Sequence, residues 1–461
     1  MLTSPASLKV SLVSCFLGAL FLLSPSSTPA QLSILKNAVG LRNQADLRRS
    51  LQDGSYRGEA GLLRMRPEVA KSFGMTVFTN QDYWDAKEGF QRAESLLDQA
   101  KAAMMSKDAE PAPGDHVRKI AESFLEYRRT LSEAKQKMAI YRSTLTAQPD
   151  DRLREDVNAA VLDRLLSESL RKAENRLRDA LGHFYNATQG LPENEAALTP
   201  ENVEFVNDVF HHFTENAPEQ SLGLFSLDRI RDYRGETERP WTHAVSDTFQ
   251  YTSFLEETAR KTKARGCEAD PLLFLALIRR ESNFDSFAVS CVGAAGLTQM
   301  MPRTALELGM KTVYLPDYLG EVGSLLDRER KARGQAMAAL YSISEGNALV
   351  HAAKARDWMQ RAMDLCQQRE KLYLRYRNEL LESRADDRLN PSVSIDIGYQ
   401  YFCSLLKEHG NDVSLALAAY NAGSSKVKEY RGIPPFGETV RFRNRVLEYY
   451  RDYLKRLRTV P

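Results

Sequence analysis

The chain has 461 residues, of which 43% are hydrophobic and 27% charged, so it is long and apolar enough for two or three folded domains. Its net charge of +2 gives no electrostatic reason to bind nucleic acid, and we expect no nucleic-acid partner. No two of its five cysteines form a CxxC pair, so zinc and thioredoxin-like chemistry lack their usual spacing. We expect neither a metal ion nor a cofactor.

The amino terminus, residues 1–30, is typical of an export signal. Lys9 gives a weakly positive start, an apolar run follows over residues 10–23, and Pro25 ends it. The run is too short to span a bilayer, so we predict that the protein is exported to the periplasm or cell envelope. Cys15 lies in a sequence like a bacterial lipoprotein box, but more apolar residues follow it, which favours a chance match.

Residues 31–243 are predicted to form a helical amino-terminal region. Apolar residues recur there every three or four positions in three stripes, which begin at Phe90, Val117 and Leu166. Each stripe is too narrow to be buried alone, so we expect a bundle or long hairpin of helices. We find no repeat of fixed period in this region.

The most informative stretch begins at Asp270, a good helix N-cap, with Pro271 at the first helical position. The helix that follows is almost wholly apolar, which indicates burial. Leu273, Leu277 and Glu281 fall on one face, so a carboxyl group emerges among leucines at the helix C-terminus. Burial and the helix dipole should both raise the pKa of Glu281, and a protonated glutamate can serve as a general acid.

Three short motifs in the carboxy-terminal half resemble, in the same order, those of the soluble lytic transglycosylases. They are Glu281-Ser282, the run from Gly296 to Pro302, and the run from Ala419 to Gly423. These lysozyme-like enzymes cut bacterial cell-wall glycan. The resemblance covers roughly the carboxy-terminal half and implies a lysozyme-like transglycosylase domain at residues 244–461. Together with the helical bundle or hairpin predicted before it, this gives a mainly α fold. Thr298 departs from the family, whose second motif usually has Met there.

The resemblance also implies a role for individual side chains. Glu281 would be the catalytic acid. The implied substrate-binding residues are Ser290, Gln299, Met300, Tyr420, Asn421 and Glu438. Four of these residues have a plainer alternative role. Ser290 would be a turn serine, Gln299 an amide that stabilises a loop, Tyr420 a core tyrosine and Glu438 a solvated glutamate.

Two glycines lie at or just before the start of the second motif, and an insertion follows that motif. Gly293 and Gly296 lack side chains, which would let a ligand approach the backbone. Residues 316–387 are an insertion relative to the family and are helical in composition. Such a segment either decorates the fold or walls the substrate groove. We favour the wall, because the segment separates two motifs that must meet at one cleft.

Four cysteines lie beyond the predicted signal: Cys267, Cys291, Cys366 and Cys403. If oxidised, they could pair in three ways, and the sequence does not choose among them. The alternative is that some are simply small buried apolar residues.

The family's activity would be cleavage of the β-1,4 bond between N-acetylmuramic acid and N-acetylglucosamine in peptidoglycan glycan strands, leaving 1,6-anhydromuramic acid ends. One alternative is a lysozyme-type hydrolase on the same scaffold, with water as the nucleophile. A second, of another class, is a cell-envelope scaffold whose amino-terminal helices bind a protein partner and whose enzyme domain is secondary. The intact motif glutamate, Glu281, argues against an inactive enzyme domain.

Overall fold

The computed structural model describes residues 28–106, 113–192, 196–217, 222, 225–234, 240–245, 249–267 and 269–459. Most of the predicted export signal, including Cys15, lies outside these residues. Within them the regular structure is helical, and pairing between extended segments is limited to isolated bridges. The prediction of a mainly α fold is therefore confirmed. None of the helices in this part of the chain is both long and apolar enough to cross a bilayer.

The helices are numbered here in chain order. They are α1 (Thr28–Asp53), α2 (Pro67–Ser72), α3 (Gln81–Met105), α4 (Pro113–Ser143), α5 (Glu155–Lys172), α6 (Leu177–Gln189), α7 (Val203–Asn216), α8 (Ile230–Arg234), α9 (Thr252–Lys263), α10 (Pro271–Ser282), α11 (Pro302–Glu307), α12 (Leu319–Tyr341), α13 (Ala348–Ser383), α14 (Pro391–Glu408), α15 (Val413–Ala422), α16 (Ser424–Glu429) and α17 (Gly437–Thr459). Short 3-10 helices lie at Asp151–Leu153, Trp241–Ala244 and Asp387–Leu389.

The three apolar stripes of the amino-terminal region lie on α3, on α4 and on α5 with α6. The third stripe is interrupted, because Glu174 and Asn175 adopt left-handed backbone angles, with φ of 51° and 61°. L-residues rarely hold that conformation inside a helix, so the chain turns there and starts a new helix at Leu177. The sequence pattern alone did not reveal this break.

One hydrophobic cluster joins the amino-terminal helices to the carboxy-terminal ones. Phe184 of α6, Val206 of α7, Phe274 of α10, Leu417 of α15 and Tyr450 of α17 are all fully buried in it. The core is thus continuous across the domain boundary predicted at residue 243. That boundary stays a prediction.

A buried polar network crosses the same region. The Arg443 guanidinium on α17 donates to Asp179 of α6 at 2.9 Å and to Asp228, between α7 and α8, at 3.3 Å. It also donates to the Ser414 hydroxyl on α15 at 2.8 Å. Each of these four side chains is almost inaccessible to solvent. A charge that is buried with its partners in this way holds the three helices in one arrangement.

Two of the cysteines form a disulfide. Cys267 follows α9 and is bonded to Cys403 on α14. Cys291 and Cys366 are free thiols, the first exposed and the second partly buried. The bond fastens the helix that precedes α10 to the helix that follows the insertion.

The predicted insertion, residues 316–387, contains the helical hairpin α12–α13. The last turns of α13 pack against the glycine-containing loop, where Tyr376 and Leu380 share a cluster with Ala295 and Leu389. The hairpin therefore contacts the loop that carries the second motif.

Candidate active site

The helix that carries the predicted acid is α10, and its first turn forms as the sequence predicts. The Asp270 carboxylate accepts a hydrogen bond from the Leu272 amide at 2.9 Å, and Pro271 occupies the first helical position. The residues from Leu272 to Ile278 are fully buried. The helix ends at Ser282, where Asn283 takes left-handed angles with φ of 50°. Glu281 is thereby placed in the last turn of a buried helix.

Burial is the main influence on the Glu281 carboxyl group and raises its pKa. Arg280 opposes that rise, and the charge of Glu438 adds to it. The net effect raises the pKa of Glu281 to about 8. Although the side chain keeps partial access to solvent, it is neutral at pH 7 and has a proton to donate.

The loop between Val289 and Met300 is the second part of the site. Ala295 forms bridges with both Val289 and Met300, which fold the loop into tight turns. Gly296 has φ of 77°, and a Cβ added there would lie 1.7 Å from the Arg388 carbonyl oxygen. The glycine is therefore required by a close backbone contact, while ligand access to this loop stays a prediction.

Gln299 and Ser290 both have contacts within this loop. The Gln299 side-chain amide donates to the carbonyl oxygens of Ala288 and Gly296, each at 2.9 Å. The Ser290 hydroxyl accepts from the Ala294 amide at 3.0 Å. These contacts fix the shape of the loop beside Glu281. Binding of substrate by either side chain stays a prediction.

The third motif meets the second through Tyr420. Its hydroxyl donates to the Thr298 carbonyl oxygen at 2.8 Å, and the ring is close enough to Glu281 for the two groups to interact electrostatically. Burial, and after it the charge of Glu281, raises the pKa of Tyr420 well above its ordinary value. Asn421 accepts a hydrogen bond from the Thr439 hydroxyl at 2.8 Å, which ties α15 to the first turn of α17.

The remaining predicted site residues occupy different environments. Glu438 is exposed at the start of α17, and its charge acts on Glu281. Met300 is only 4% exposed and packs with Ala305 and Met310. Its predicted contact with substrate remains untested.

The departure from the family at Thr298 has a structural reason. Its side chain is fully buried, and its hydroxyl shares a 2.9 Å hydrogen bond with Ser394 on α14. Gly398 lies directly opposite, since a Cβ added there would be 2.5 Å from the Thr298 methyl group. Thr298 thus packs into the core beneath the loop.

The sequence analysis did not identify the buried side chain that stabilises the loop of Gly293 and Gly296. Arg388 is completely buried, and its Nη1 donates to the carbonyl oxygens of Gly293 and Met300 at 3.1 and 3.2 Å. Asp386 and the Tyr376 hydroxyl complete its partners at 2.7 and 2.6 Å. The chain offered one signal in the tetrapeptide Asp-Asp-Arg-Leu, which occurs at residues 150–153 and again at residues 386–389.

Within the described residues, no three His, Cys, Asp or Glu side chains are grouped in a way that could hold a metal ion. The site therefore consists of one protonated carboxyl group at the end of a buried helix, a rigid glycine-containing loop and a tyrosine that links the two. A protonated carboxyl group in such a position can act as a general acid.

Residues 259–322 and 362–439 match the family model "Transglycosylase SLT domain". The carboxy-terminal half of the chain thus carries a match to this domain family. The match leaves out residues 323–361, which lie within the predicted insertion.

Two solved structures are similar to the chain along most of its length. The 70 kDa soluble lytic transglycosylase SLT70 from Escherichia coli is 16% identical, with 92% of this chain and 71% of that chain covered and a TM-score of 0.28. An inactive mutant of the lytic transglycosylase Slt from Pseudomonas aeruginosa is 14% identical, with 94% and 74% covered and a TM-score of 0.27. Both TM-scores are too low to support a conclusion about this chain.

Proposed function

We propose that this protein cleaves the β-1,4 bond between N-acetylmuramic acid and N-acetylglucosamine in peptidoglycan without adding water. The observation that carries the proposal is a single carboxyl group, Glu281, with a pKa of about 8 in the last turn of a buried helix. Glycosidases that use water or a covalent intermediate normally need a second carboxylate across the sugar ring.

The nearby carboxylates have other partners. Asp285 is exposed and accepts a hydrogen bond from the Phe287 amide at 2.8 Å in a turn. Asp396 accepts from Gln400 at 3.0 Å. Glu438 is exposed and raises the pKa of Glu281, which suits an electrostatic role better than that of a nucleophile.

The reaction can then proceed with one side chain in two roles. Glu281 donates its proton to the glycosidic oxygen, and the bond from that oxygen to C1 of muramic acid breaks. The substrate's own N-acetyl group assists the departure, and its C6 hydroxyl oxygen then bonds to C1. The Glu281 carboxylate takes the hydroxyl proton and is restored. An intramolecular hydroxyl has an advantage over water worth up to about 7–11 kcal/mol when it is well oriented.

Mass spectrometry of a digest of purified peptidoglycan tests the proposal. Each new muramic acid end should be lighter by one water than a reducing end, because the ring closes on itself. Fragments that all carry the hydrated, reducing end would instead identify a lysozyme-type hydrolase. The complete absence of cleavage would favour the scaffold alternative.

Activity should fall on the alkaline side of a pH of about 8. The pKa of Glu281 is raised, so the acid is protonated below that pH and loses its proton as the pH rises through it. Two neighbouring variants provide matched tests. Glu438→Gln removes a charge that raises the pKa and should move the alkaline limb of kcat/KM to lower pH, whereas Arg280→Gln should move it to higher pH. An alkaline limb that neither variant shifts would belong to another group.

Export to the periplasm or cell envelope fits this substrate. The Cys267–Cys403 disulfide supports it, because such bonds persist mainly in oxidising compartments.

A further inference from the structure

The sequence around the glycine loop occurs twice in the chain. Residues 58–78 align with residues 293–314 with a single one-residue insertion, at Lys311. The residues identical in both are Gly58, Ala60, Gly61, Leu62, Met65, Pro67, Ala70, Gly74, Met75, Thr76 and Val77. The sequence reading missed this because it looked for short periods, whereas here one long unit is present twice.

The contacts beneath the two loops repeat as well. Arg152 is buried and donates to the carbonyl oxygens of Gly58 and Met65 at 2.8 and 3.1 Å, as Arg388 does to those of Gly293 and Met300. Its other partners are Asp150 and the Tyr141 hydroxyl, both at 2.7 Å, which correspond to Asp386 and Tyr376. A Cβ added to Gly61 would lie 1.7 Å from the Arg152 carbonyl oxygen, the same distance as between Gly296 and Arg388.

The helices around each loop follow the same order. A long hairpin, α3–α4 or α12–α13, is followed by the 3-10 turn that contains the arginine, and then by α5–α6 or α14–α15. The segment between the two units contacts both at equivalent points. The Leu177 amide, at the start of α6, donates to Ser226 at 3.1 Å, and the Val413 amide, at the start of α15, donates to Asp228 at 2.8 Å.

The first unit lacks the catalytic groups of the second. The alignment that pairs Gly58 with Gly293 pairs Asp46 with Glu281 and Arg64 with Gln299. Asp46 forms ion pairs with Arg64 and Arg42, each at 3.0 Å. The oxygens of this carboxylate are thus taken up by two guanidinium groups of its own copy. Phe184 occupies the position of Tyr420 and has no hydroxyl group.

The two long hairpins pack against each other. Ala103 and Phe124 of the first hairpin are buried in one cluster with Leu340 and Ala355 of the second. Across this contact, an arginine from the second helix of each hairpin donates to a carbonyl just beyond the first helix of the other. Arg128 on α4 donates to Ile343 at 2.6 Å, and Arg356 on α13 donates to Ser106 at 2.9 Å. Cations at helix C-termini are favourable in this position.

We infer that residues 28–216 are a second, catalytically silent copy of the enzyme domain, which acts as a built-in partner for the active copy. The hairpin of the silent copy, α3–α4, contacts the amino-terminal part of α13 at Arg356. The carboxy-terminal part of α13 carries Tyr376, which contacts Arg388 and so supports the loop of Gln299. From Arg356 to Tyr376 the helix covers about 30 Å, at ~1.5 Å per residue. The pairing of the hairpins therefore positions the wall of the cleft.

The test is a double variant, Arg356→Ala with Gln360→Ala, in the full chain. Gln360 also donates to Ser106, at 3.0 Å, so the pair removes several bonds between the copies. Coupling of this kind is typically worth about a two- to thirty-fold change in a binding constant. We expect KM for long glycan strands to rise by that factor, kcat to change little, and hydrogen exchange to accelerate at the tips of both hairpins. The control is Arg361→Ala, an exposed residue on the same helix that contacts Trp358.

Faster exchange at the hairpin tips with an unchanged KM would overturn the positioning role. Catalytic silence has its own test, in which Asp46→Asn is added to Glu281→Gln. The residual activity should not fall further, and a further fall would show that the first copy is active. The KM experiment rests on the proposed glycan substrate, whereas product mass tests the chemistry, so the two proposals can fail separately.

Discussion

Replacement of Glu281 by Gln should reduce turnover of peptidoglycan by about a hundred- to ten-thousand-fold, the usual contribution of a general acid. Glutamine keeps the size of the side chain but has no acidic proton to donate. The raised pKa strengthens this expectation, because the native carboxyl group is protonated at the pH of the assay. Release of soluble fragments from purified cell wall measures the rate.

The same variant should be at least as stable as the parent at pH 7. The folded pKa of Glu281, about 8, lies above its ordinary value of 4.5, so the folded chain binds more protons than the unfolded one between those values. This carboxyl group therefore weakens the fold progressively as the pH rises from about 4.5 to about 8. Glutamine carries no such cost. Glu448→Gln, on the exposed face of α17, is the control. Near-normal turnover of the Glu281→Gln chain would refute the assignment of the acid.

Local sequence signals were sufficient to predict the buried helix that ends in Glu281-Ser282. Asp270 and Pro271 define the start of α10, and the apolar run that follows requires burial. The position of Glu281 follows from helical spacing alone. These features depend on residues within a few positions of each other, and an unaligned sequence reports such features well.

Features that depend on distant residues could not be predicted in the same way. The support of the Gln299 loop joins Arg388, which follows the insertion, to the Met300 carbonyl before it and to Tyr376 within it. The choice of Cys403 as the partner of Cys267 depends on how α9 and α14 pack. Thr298 illustrates the same limit, since its departure from the family could be interpreted only after Gly398 was found opposite it.

Replacement of Arg443 by Leu should destabilise the whole protein by about 3–5 kcal/mol, the usual cost of removing one partner from a buried ion pair. Burial disfavours ionisation of Asp179, but Arg443 and two other arginines outweigh it and hold the pKa of Asp179 below its ordinary value of 3.8. Without Arg443, Asp179 and Asp228 would remain buried with less compensating charge. Since the network joins the two copies, both should lose stability together. The midpoint of urea or thermal unfolding at pH 7 measures the effect.

The matched control is Arg445→Leu on the same helix, which removes an exposed pair with Glu448 at 2.8 Å and should cost no more than about 1 kcal/mol. Adding Asp228→Asn to Arg443→Leu should recover part of the loss, because one of the two stranded charges disappears. The pH gives a further check. A depressed pKa means that the stabilisation by Asp179 is present above pH 3.8 and is lost as the pH falls below it, so the deficit of the Arg443→Leu chain should narrow in acid. A deficit no larger than that of the Arg445→Leu control would mean that hydrophobic contacts, and not this network, hold the two copies together.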